Sequence, residues 1–205
     1  NSDPRIKIID LETNSGAGAA RNVGIKKSCG NKIAFLDADD RWYSHKLKIQ
    51  LQFMQERDIA ICYSSYTLMD EKGTPLNKVV QALPTLDYDK LLRANYIGNL
   101  TAVYDINKLE KCYAPELRKR QDWAMWLDLV KKAGCAYGIL EPLAYYRIRN
   151  NSISSNKLSM LRYNYLVYKK YLGFSVFKSC CFMLRFLFEQ LFIKQQYTVA
   201  IKPDK

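Results

Sequence analysis

The sequence predicts an α/β domain with an open, mostly parallel sheet flanked by helices, followed by C-terminal amphipathic helices. Short β-branched runs alternate with helical patterns over about the first two-thirds of the chain, which favours a layered α/β architecture. The run at residues 32–37, KIAFLD, is continuously apolar from Ile33 to Leu36, as in parallel strands covered on both faces. With 205 residues, 48% of them apolar, the chain is long enough for one substantial core.

The first half of the chain contains three predicted strands and two predicted helices. Strands are expected at residues 6–11, 32–37 and 59–70, because each run is rich in β-branched or aromatic residues. A short helix at about residues 19–28 follows a glycine-rich loop. Ser44 can cap a second helix that runs to about Arg57, with Leu47, Leu51 and Met54 predicted to share its buried face.

The second half is predicted to be more helical. Residues 86–97 read as a helix, 100–105 as a strand, and 136–148 as an extended segment. Residues 122–133 form the clearest helix, because Trp123, Trp126 and Val130 recur at helical spacing and Gly134 follows as a stop. From residue 157 to about 195 the pattern is helical again, with a break near Gly173.

Cysteine usage and apolar runs limit the class of protein. The six cysteines show no framework or CxxC spacing and there is one histidine, which argues against a zinc site and for reduced thiols in a cytoplasmic protein. Lys178, Arg185 and Glu189 interrupt the long apolar run near the C-terminus. No window there reaches the roughly 18 apolar residues of a membrane span, so no transmembrane helix is expected.

The stretch NSGAGAARNVG at residues 14–24 places a glycine-rich loop before a helix. Gly16 and Gly18 fit the first two positions of a dinucleotide-binding turn, but Arg21 occupies the third small position, where a long cation prevents close helix–strand packing. The loop amides and Arg21 could still attract a pyrophosphate. An ordinary glycine turn is an equally good interpretation of the loop alone.

Three carboxylates, Asp37, Asp39 and Asp40, lie within four residues at the end of an apolar strand. Such a cluster is unfavourable unless a cation neutralises it, and carboxylate oxygens suit Mg²⁺ or Mn²⁺. The ends of strands in open α/β sheets are also where ligands bind. The alternative is a solvated acidic turn that caps the next helix.

Together the two motifs, in the stretch NSGAGAARNVGIKKSCGNKIAFLDADDRWYSHKL, resemble the central part of family 2 glycosyltransferases, which have the GT-A fold. The resemblance extends over about residues 4–155. It implies a GT-A domain at residues 1–155 whose first strands and first helix are missing, followed by a basic amphipathic helical tail at residues 156–205.

Two later stretches are also similar to that family. RKRQDWAMWLDLVKKAG resembles the acceptor-side helix, and Asp122 matches the family's catalytic base, although Gln121 replaces the acid that normally precedes it. YYRIRNNSISS resembles the closing segment through Tyr146, Arg147, Ser152 and Ser154. Arg149 stands where the family has histidine, and because arginine cannot bind a metal it would contact the diphosphate instead.

The resemblance implies an inverting transfer of a sugar from a nucleotide diphosphate sugar, UDP-linked in preference to GDP-linked, to a hydroxyl acceptor. The acceptor would be a glycan or a lipid-linked glycan in cell-surface polysaccharide synthesis. Asp122 would be the base, and Mg²⁺ or Mn²⁺ would be held by Asp39, with Asp37 and Asp40 beside it. The residues expected to bind the nucleotide sugar are Gly16, Arg21, Asn22, Asp37, Asp39 and Arg149.

The tail is strongly basic. Nine basic and two acidic residues follow position 155, so +7 of the net charge of +12 lies there. Interspersed phenylalanines make it typical of a helix on an anionic leaflet, which implies a peripheral location at the cytoplasmic face of the membrane. A helix packed on the missing part of the fold or on a second copy is the alternative. Two rival functions are a non-catalytic glycosyltransferase-like protein and a basic nucleic-acid-binding module. The second is disfavoured because the cluster of Asp37, Asp39 and Asp40 would repel the phosphates of a nucleic acid.

Overall fold

The computed structural model of the chain describes residues 3–149 and 157–201, and these form a mixed sheet flanked by helices. The central strand β3 contacts β6 and β4 along one edge and β7 along the other. Strand β1 continues the sheet beyond β6, β8 continues it beyond β4, and β7 also pairs with β2 and β5. The strands are β1 Lys32–Ala34, β2 Arg41–Trp42, β3 Ile61–Met69, β4 Pro75–Val80, β5 Thr85–Asp87, β6 Val103–Asp105, β7 Cys135–Arg147 and β8 Thr198–Ala200.

The α/β class with flanking helices is confirmed, but the prediction of a mostly parallel sheet is wrong for strand direction. Among the described residues, β3 and β7 form the one parallel pair, and the other pairings are antiparallel. A continuous apolar run indicates that both faces of a strand are buried. Burial of both faces does not determine whether the neighbouring strand runs parallel or antiparallel. Strands β3 and β4 are joined by a tight turn at Gly73, with φ +89°, and such a turn requires antiparallel pairing.

The helices lie close to their predicted positions. Helix α5 begins at Gln121 and ends before Gly134, whose φ of +83° is the left-handed stop that the sequence predicts. Gly173, with φ +67°, separates the two tail helices as expected. The helices are α1 Gly16–Lys27, α2 Lys46–Glu56, α3 Tyr88–Arg93, α4 Ile106–Leu109, α5 Gln121–Ala133, α6 Lys157–Leu166 with a π-helical turn Val167–Tyr171, and α7 Val176–Phe188 with a π-helical turn Glu189–Ile193 and a 3₁₀ turn Lys194–Tyr197.

Two local predictions are wrong. Residues 6–11 pair with no strand among the described residues, and Ile8 is 79% exposed, because a β-branched run becomes a strand only where a neighbour accepts its backbone hydrogen bonds. Helix α2 buries Lys46 and Gln50 beside Met54, whereas the leucines at 47 and 51 are exposed. Lys46 donates to Gln50 and lies 4.3 Å from the Trp42 ring centroid, so the polar groups are satisfied inside the protein.

The tail shares the core of the preceding residues. Trp123 on α5 packs its ring against Tyr168 and Phe186, at centroid distances of 5.6 and 5.9 Å, and all three side chains are buried. Strand β8 adds the end of the tail to the sheet beside β4. Residues 157–201 are therefore packed on the rest of the fold, a partner that neither interpretation of the tail predicted. No helix within the described ranges is long and apolar enough to cross a membrane.

Candidate active site

The three aspartates lie in the turn between β1 and β2, in three different environments. The Asp40 N–H donates to the Asp37 carbonyl at 3.1 Å and closes the turn. The Asp40 carboxyl is buried and accepts a 2.9 Å hydrogen bond from the Arg147 N–H on β7. Burial raises the pKa of Asp40 to about 6, and the nearby charges of Asp39 and Asp37 add to this effect. The three carboxylates therefore lie in one turn that follows β1.

Arginines contact the other two carboxylates. Arg21 on α1 reaches Asp37 with a 3.3 Å Nη2–Oδ1 distance, and Arg149 reaches Asp39 with a 3.3 Å Nε–Oδ2 distance. The side chain of Arg21 is 9% exposed and its guanidinium lies 5.6 Å from the Phe35 ring centroid. Its Nη1 is buried without a hydrogen-bond partner among the described residues, so this cation retains donor capacity beside the acidic turn.

The glycine loop leads into helix α1. Gly16 starts the helix with φ +82°, a conformation that favours glycine, and its N–H is bonded to the Asn14 side chain at 3.1 Å. Asn22 has a different role from the predicted contact with the nucleotide sugar. Its side-chain amide donates to the Ala114 carbonyl and accepts from the Ala114 N–H, both at 2.8 Å. Both ends of the amide are used, so Asn22 joins α1 to the segment that precedes α5.

Asp122 lies in the first turn of α5, two residues after Arg120, whose φ of +66° places it in the left-handed region. The Asn95 side chain donates to the Asp122 carboxylate at 3.3 Å. Trp123, the next residue, is fully buried and donates its indole N–H to the Leu91 carbonyl at 2.9 Å. The buried tryptophan fixes the helix, and the half-buried aspartate before it faces a cleft.

A cleft of about 760 Å³ brings the predicted residues together. Its lining includes Gly16, Arg21, Asp37 and Asp40 from the first half of the chain and Asp122 from α5. Asp39, Asn22 and Arg149 lie outside the lining, although Arg149 and Asp39 contact each other beside it. The lining residues that the sequence prediction missed include Tyr66, Asn95, Arg120 and Lys194.

The carboxylates of the acidic turn can be compared with the ligands of a divalent metal ion that is coordinated partly by the protein and partly by a bound phosphate group. Within residues 3–149 and 157–201, no three histidine, cysteine, aspartate or glutamate side chains converge as a metal cage. Asp37 and Asp39, however, keep 52% and 34% of their side chains exposed. Mg²⁺ and Mn²⁺ are commonly held by one or two carboxylates together with phosphate oxygens and water, which this pair allows. Asp40 fits less well as a ligand, because it is buried and bonded to Arg147.

Comparison with known proteins gives the class of the chain. Residues 1–105 match the model of glycosyl transferase family 2. The chain is 45% identical over 168 residues to a Bacillus subtilis protein named as a teichuronic acid biosynthesis glycosyltransferase, TuaG, covering 82% of this chain and 67% of that protein. The chain belongs to glycosyl transferase family 2, and the recognition made from its motifs is confirmed.

Further relatives agree with this class. The chain is 35% identical over 164 residues to the Escherichia coli UDP-Glc:alpha-D-GlcNAc-diphosphoundecaprenol beta-1,3-glucosyltransferase WfgD, covering 78% of this chain and 63% of WfgD. The fold is similar to that of Staphylococcus aureus TarS 1–349 in complex with UDP-GlcNAc, with a TM-score of 0.65 and 19% identity, over 90% of this chain and 56% of TarS 1–349. The chain is thus a glycosyltransferase that spans about two thirds or less of these relatives.

Proposed function

We propose that the chain carries the catalytic centre of an inverting glycosyltransferase that moves a sugar from a UDP-sugar to a hydroxyl group of a lipid-linked glycan. The observation that carries this proposal is the cleft that places Asp122 in one lining with Asp37, Asp40 and Arg21. The names of the relatives, which include enzymes of teichuronic acid and diphosphoundecaprenol-linked glycan synthesis, support the choice of donor and acceptor.

The chemistry divides between the two sides of the cleft. On the donor side, Gly16, Arg21 and Asp37 bind the nucleotide diphosphate, and Arg149 supports it through Asp39. A Mg²⁺ or Mn²⁺ ion held by Asp37 and Asp39 would supply positive charge to the leaving diphosphate. On the acceptor side, Asp122 accepts the proton of the attacking hydroxyl. The hydroxyl oxygen bonds to the anomeric carbon as the bond to the diphosphate breaks, which inverts that carbon.

The contacts of Asp122 suit this role. Its Oδ2 accepts a single, long hydrogen bond from Asn95, so lone pairs stay open toward the cleft. The following residues of α5 are buried, which holds the carboxylate in place at the start of the helix. A general base of this kind contributes about 100- to 10,000-fold in rate.

The experiment replaces Asp122 by Asn. We expect transfer from UDP-sugars to short-chain prenyl diphosphate-linked acceptors to fall at least about 100-fold, because the amide cannot accept the proton. The Kd for UDP with Mn²⁺, measured by calorimetry, stays within about twofold. Asp89→Asn is the matched control, since Asp89 is an exposed first-turn acid on α3. Transfer that survives in Asp122→Asn contradicts the proposed base, and the absence of Mn²⁺-dependent UDP binding by the parent protein favours a non-catalytic relative.

We also propose that α7 rests on the cytoplasmic face of an anionic membrane. Phe177 is 80% exposed and Leu184 is 68% exposed, with further exposed apolar side chains at Val176, Phe188, Leu191 and Phe192. Lys178 and Arg185 flank this surface, as expected of a helix at an anionic leaflet. Co-sedimentation with phosphatidylglycerol vesicles should be lost in Leu184→Ser and retained in Leu140→Ser, an equally exposed leucine on β7. Equal loss or equal retention in both variants contradicts this surface.

A further inference from the structure

Two cations that have no role in the site predicted from the sequence lie on the Asp122 side of the cleft. Arg120 precedes α5, and Lys194 follows α7 in the tail, more than seventy residues later. Both line the same 760 Å³ cleft as Asp122. Long-range folding, and no local sequence pattern, therefore brings a second positive centre into the site.

These cations are only partly satisfied by the protein. Neither forms a salt bridge with a described residue. The Arg120 Nε is buried without a hydrogen-bond partner in the described part of the chain. Lys194 Nζ donates to the Asn95 carbonyl, which uses one of its three N–H groups. Unused donors on two half-buried cations are expected where an anionic ligand completes the site.

Electrostatics indicate that the two cations lie near each other and near Asp122. Burial, together with a smaller effect of the positive charge of Arg120, lowers the pKa of Lys194 to about 8, while Asp122 acts in the opposite direction. Burial likewise lowers the pKa of Arg120, and Asp122 again opposes the shift. One carboxylate faces two cations, so the pocket around Asp122 has an excess of positive charge before any substrate enters.

The tail holds Lys194 firmly in this position. The Gln81 N–H donates to the Tyr197 carbonyl at 2.7 Å, and β8 pairs with β4 directly after it. On the other side of Lys194, the buried Glu189 accepts a hydrogen bond from Tyr96 and forms a salt bridge with Lys90. The chain is therefore anchored on both sides of Lys194, which limits the movement of the segment that presents this cation to the cleft.

We propose that Arg120 and Lys194 form a binding site for a phosphate or diphosphate group of the acceptor, placed so that the acceptor hydroxyl meets Asp122. This inference rests on the proposed function, because Asp122 defines the acceptor side. Arg21, which contacts Asp37, serves the donor side, so the second pair of cations is available to a second anion. The site selects acceptors that carry a phosphate-class group close to the attacked sugar and disfavours neutral glycans.

The test uses calorimetry with inorganic pyrophosphate as the probe, on the whole chain in metal-free buffer, where donor binding that needs a divalent ion is absent. Lys194→Gln and Arg120→Gln should each weaken the pyrophosphate Kd by about tenfold, the loss expected for a charge-assisted contact. Lys194→Arg should retain it. The matched control is Lys170→Gln, an exposed cation in the same tail, which should leave the Kd unchanged. Geranyl diphosphate, titrated in parallel, distinguishes a lipid-linked diphosphate from free pyrophosphate by its tighter binding.

Separate outcomes test this site and the enzyme itself. The site is supported when Lys194→Gln loses pyrophosphate but keeps the Kd for UDP with Mn²⁺ within about twofold. The proposal is overturned when the wild-type protein binds no pyrophosphate, or when Lys194→Gln binds it as tightly as Lys170→Gln does. It is also overturned when Lys194→Gln loses affinity for pyrophosphate and for UDP together, because the cations would then belong to the donor site. Failure of the wild type to bind UDP with Mn²⁺ counts against the proposed function. This titration is separate from the metal-free pyrophosphate titration, so the two proposals can fail independently. Thermal unfolding of each variant confirms that the comparison is made on folded protein.

Discussion

Replacing Asn22 by Ala distinguishes a structural role for this residue from a role in binding the nucleotide sugar. The Asn22 amide makes two 2.8 Å hydrogen bonds with the backbone of Ala114, and these join α1 to the segment before α5. Ala114 is buried, so neither of its backbone groups would gain full access to water in the variant. The structure therefore predicts that Asn22→Ala reduces stability and leaves the affinity for the donor nearly unchanged.

The size of the effect follows from the two contacts. A typical hydrogen bond contributes about 1 kcal/mol net, and a buried group left unpaired costs about 1–3 kcal/mol. The loss of both bonds to a buried backbone unit should lower the free energy of unfolding by about 2 kcal/mol. For a chain of this length each kcal/mol corresponds to about 2–4 °C in Tm, so the expected decrease is about 4–8 °C.

Urea unfolding and calorimetry provide the assay. Asn107→Ala is the control, because Asn107 is an exposed asparagine on α4 whose side chain has no hydrogen bond in the described structure, and it should change stability by less than about 0.5 kcal/mol. The Kd of each variant for UDP with Mn²⁺ is measured well below its Tm. An unchanged Tm together with a tenfold weaker Kd would refute this reasoning and restore Asn22 to the predicted donor-binding set.

Two further predictions concern the core. Burial lowers the pKa of Lys46 from 10.5 to about 8. The cost to folding stability of burying the charged ammonium group is therefore fully present below pH 8, and it is relieved as the pH rises toward 10.5. The free energy of unfolding of Lys46→Met minus that of the wild type should therefore fall by about 3 kcal/mol between pH 8 and pH 10.5, as measured by urea titrations. A difference that does not change with pH contradicts this prediction. A Cβ at Gly138 would lie 2.0 Å from the Leu83 carbonyl oxygen, so Gly138→Ala should lose about 3 kcal/mol or more, whereas Gly24→Ala, in open space on α1, should not be destabilising.

Features with a local physical cause were predictable from the sequence. Helix α5 has a complete apolar period and a glycine stop, so its bounds differ from prediction by one residue. The acidic turn was predictable because three carboxylates directly follow an apolar strand, and the fold does bring Asp37 and Asp40 into the cleft. In each case the residues that determine the feature are neighbours in the chain.

The features that sequence reasoning missed depend on contacts between distant residues. Lys46 and Gln50 read as exposed positions of α2, yet they are buried because the Trp42 ring and the Thr101 carbonyl, which accepts from Gln50 at 2.8 Å, satisfy them. Asn22 looks like part of a ligand loop, and only its distant partner Ala114 shows its structural role. Lys194 reads as one more cation of a basic tail until the tail folds back on the cleft.

The packing of the tail links its two proposed roles to the chemistry of the cleft. Trp123 follows Asp122 directly, and its ring is held by Tyr168 and Phe186 from the tail. Residues of the same tail then present an apolar surface on α7 and place Lys194 in the lining of the cleft. A surface that rests on a leaflet would bring the cleft toward acceptors anchored there, and a cation near Asp122 would bind their phosphate groups. Through one continuous core, the tail would thus contribute to the position of the proposed base, to the proposed membrane surface and to the proposed acceptor site.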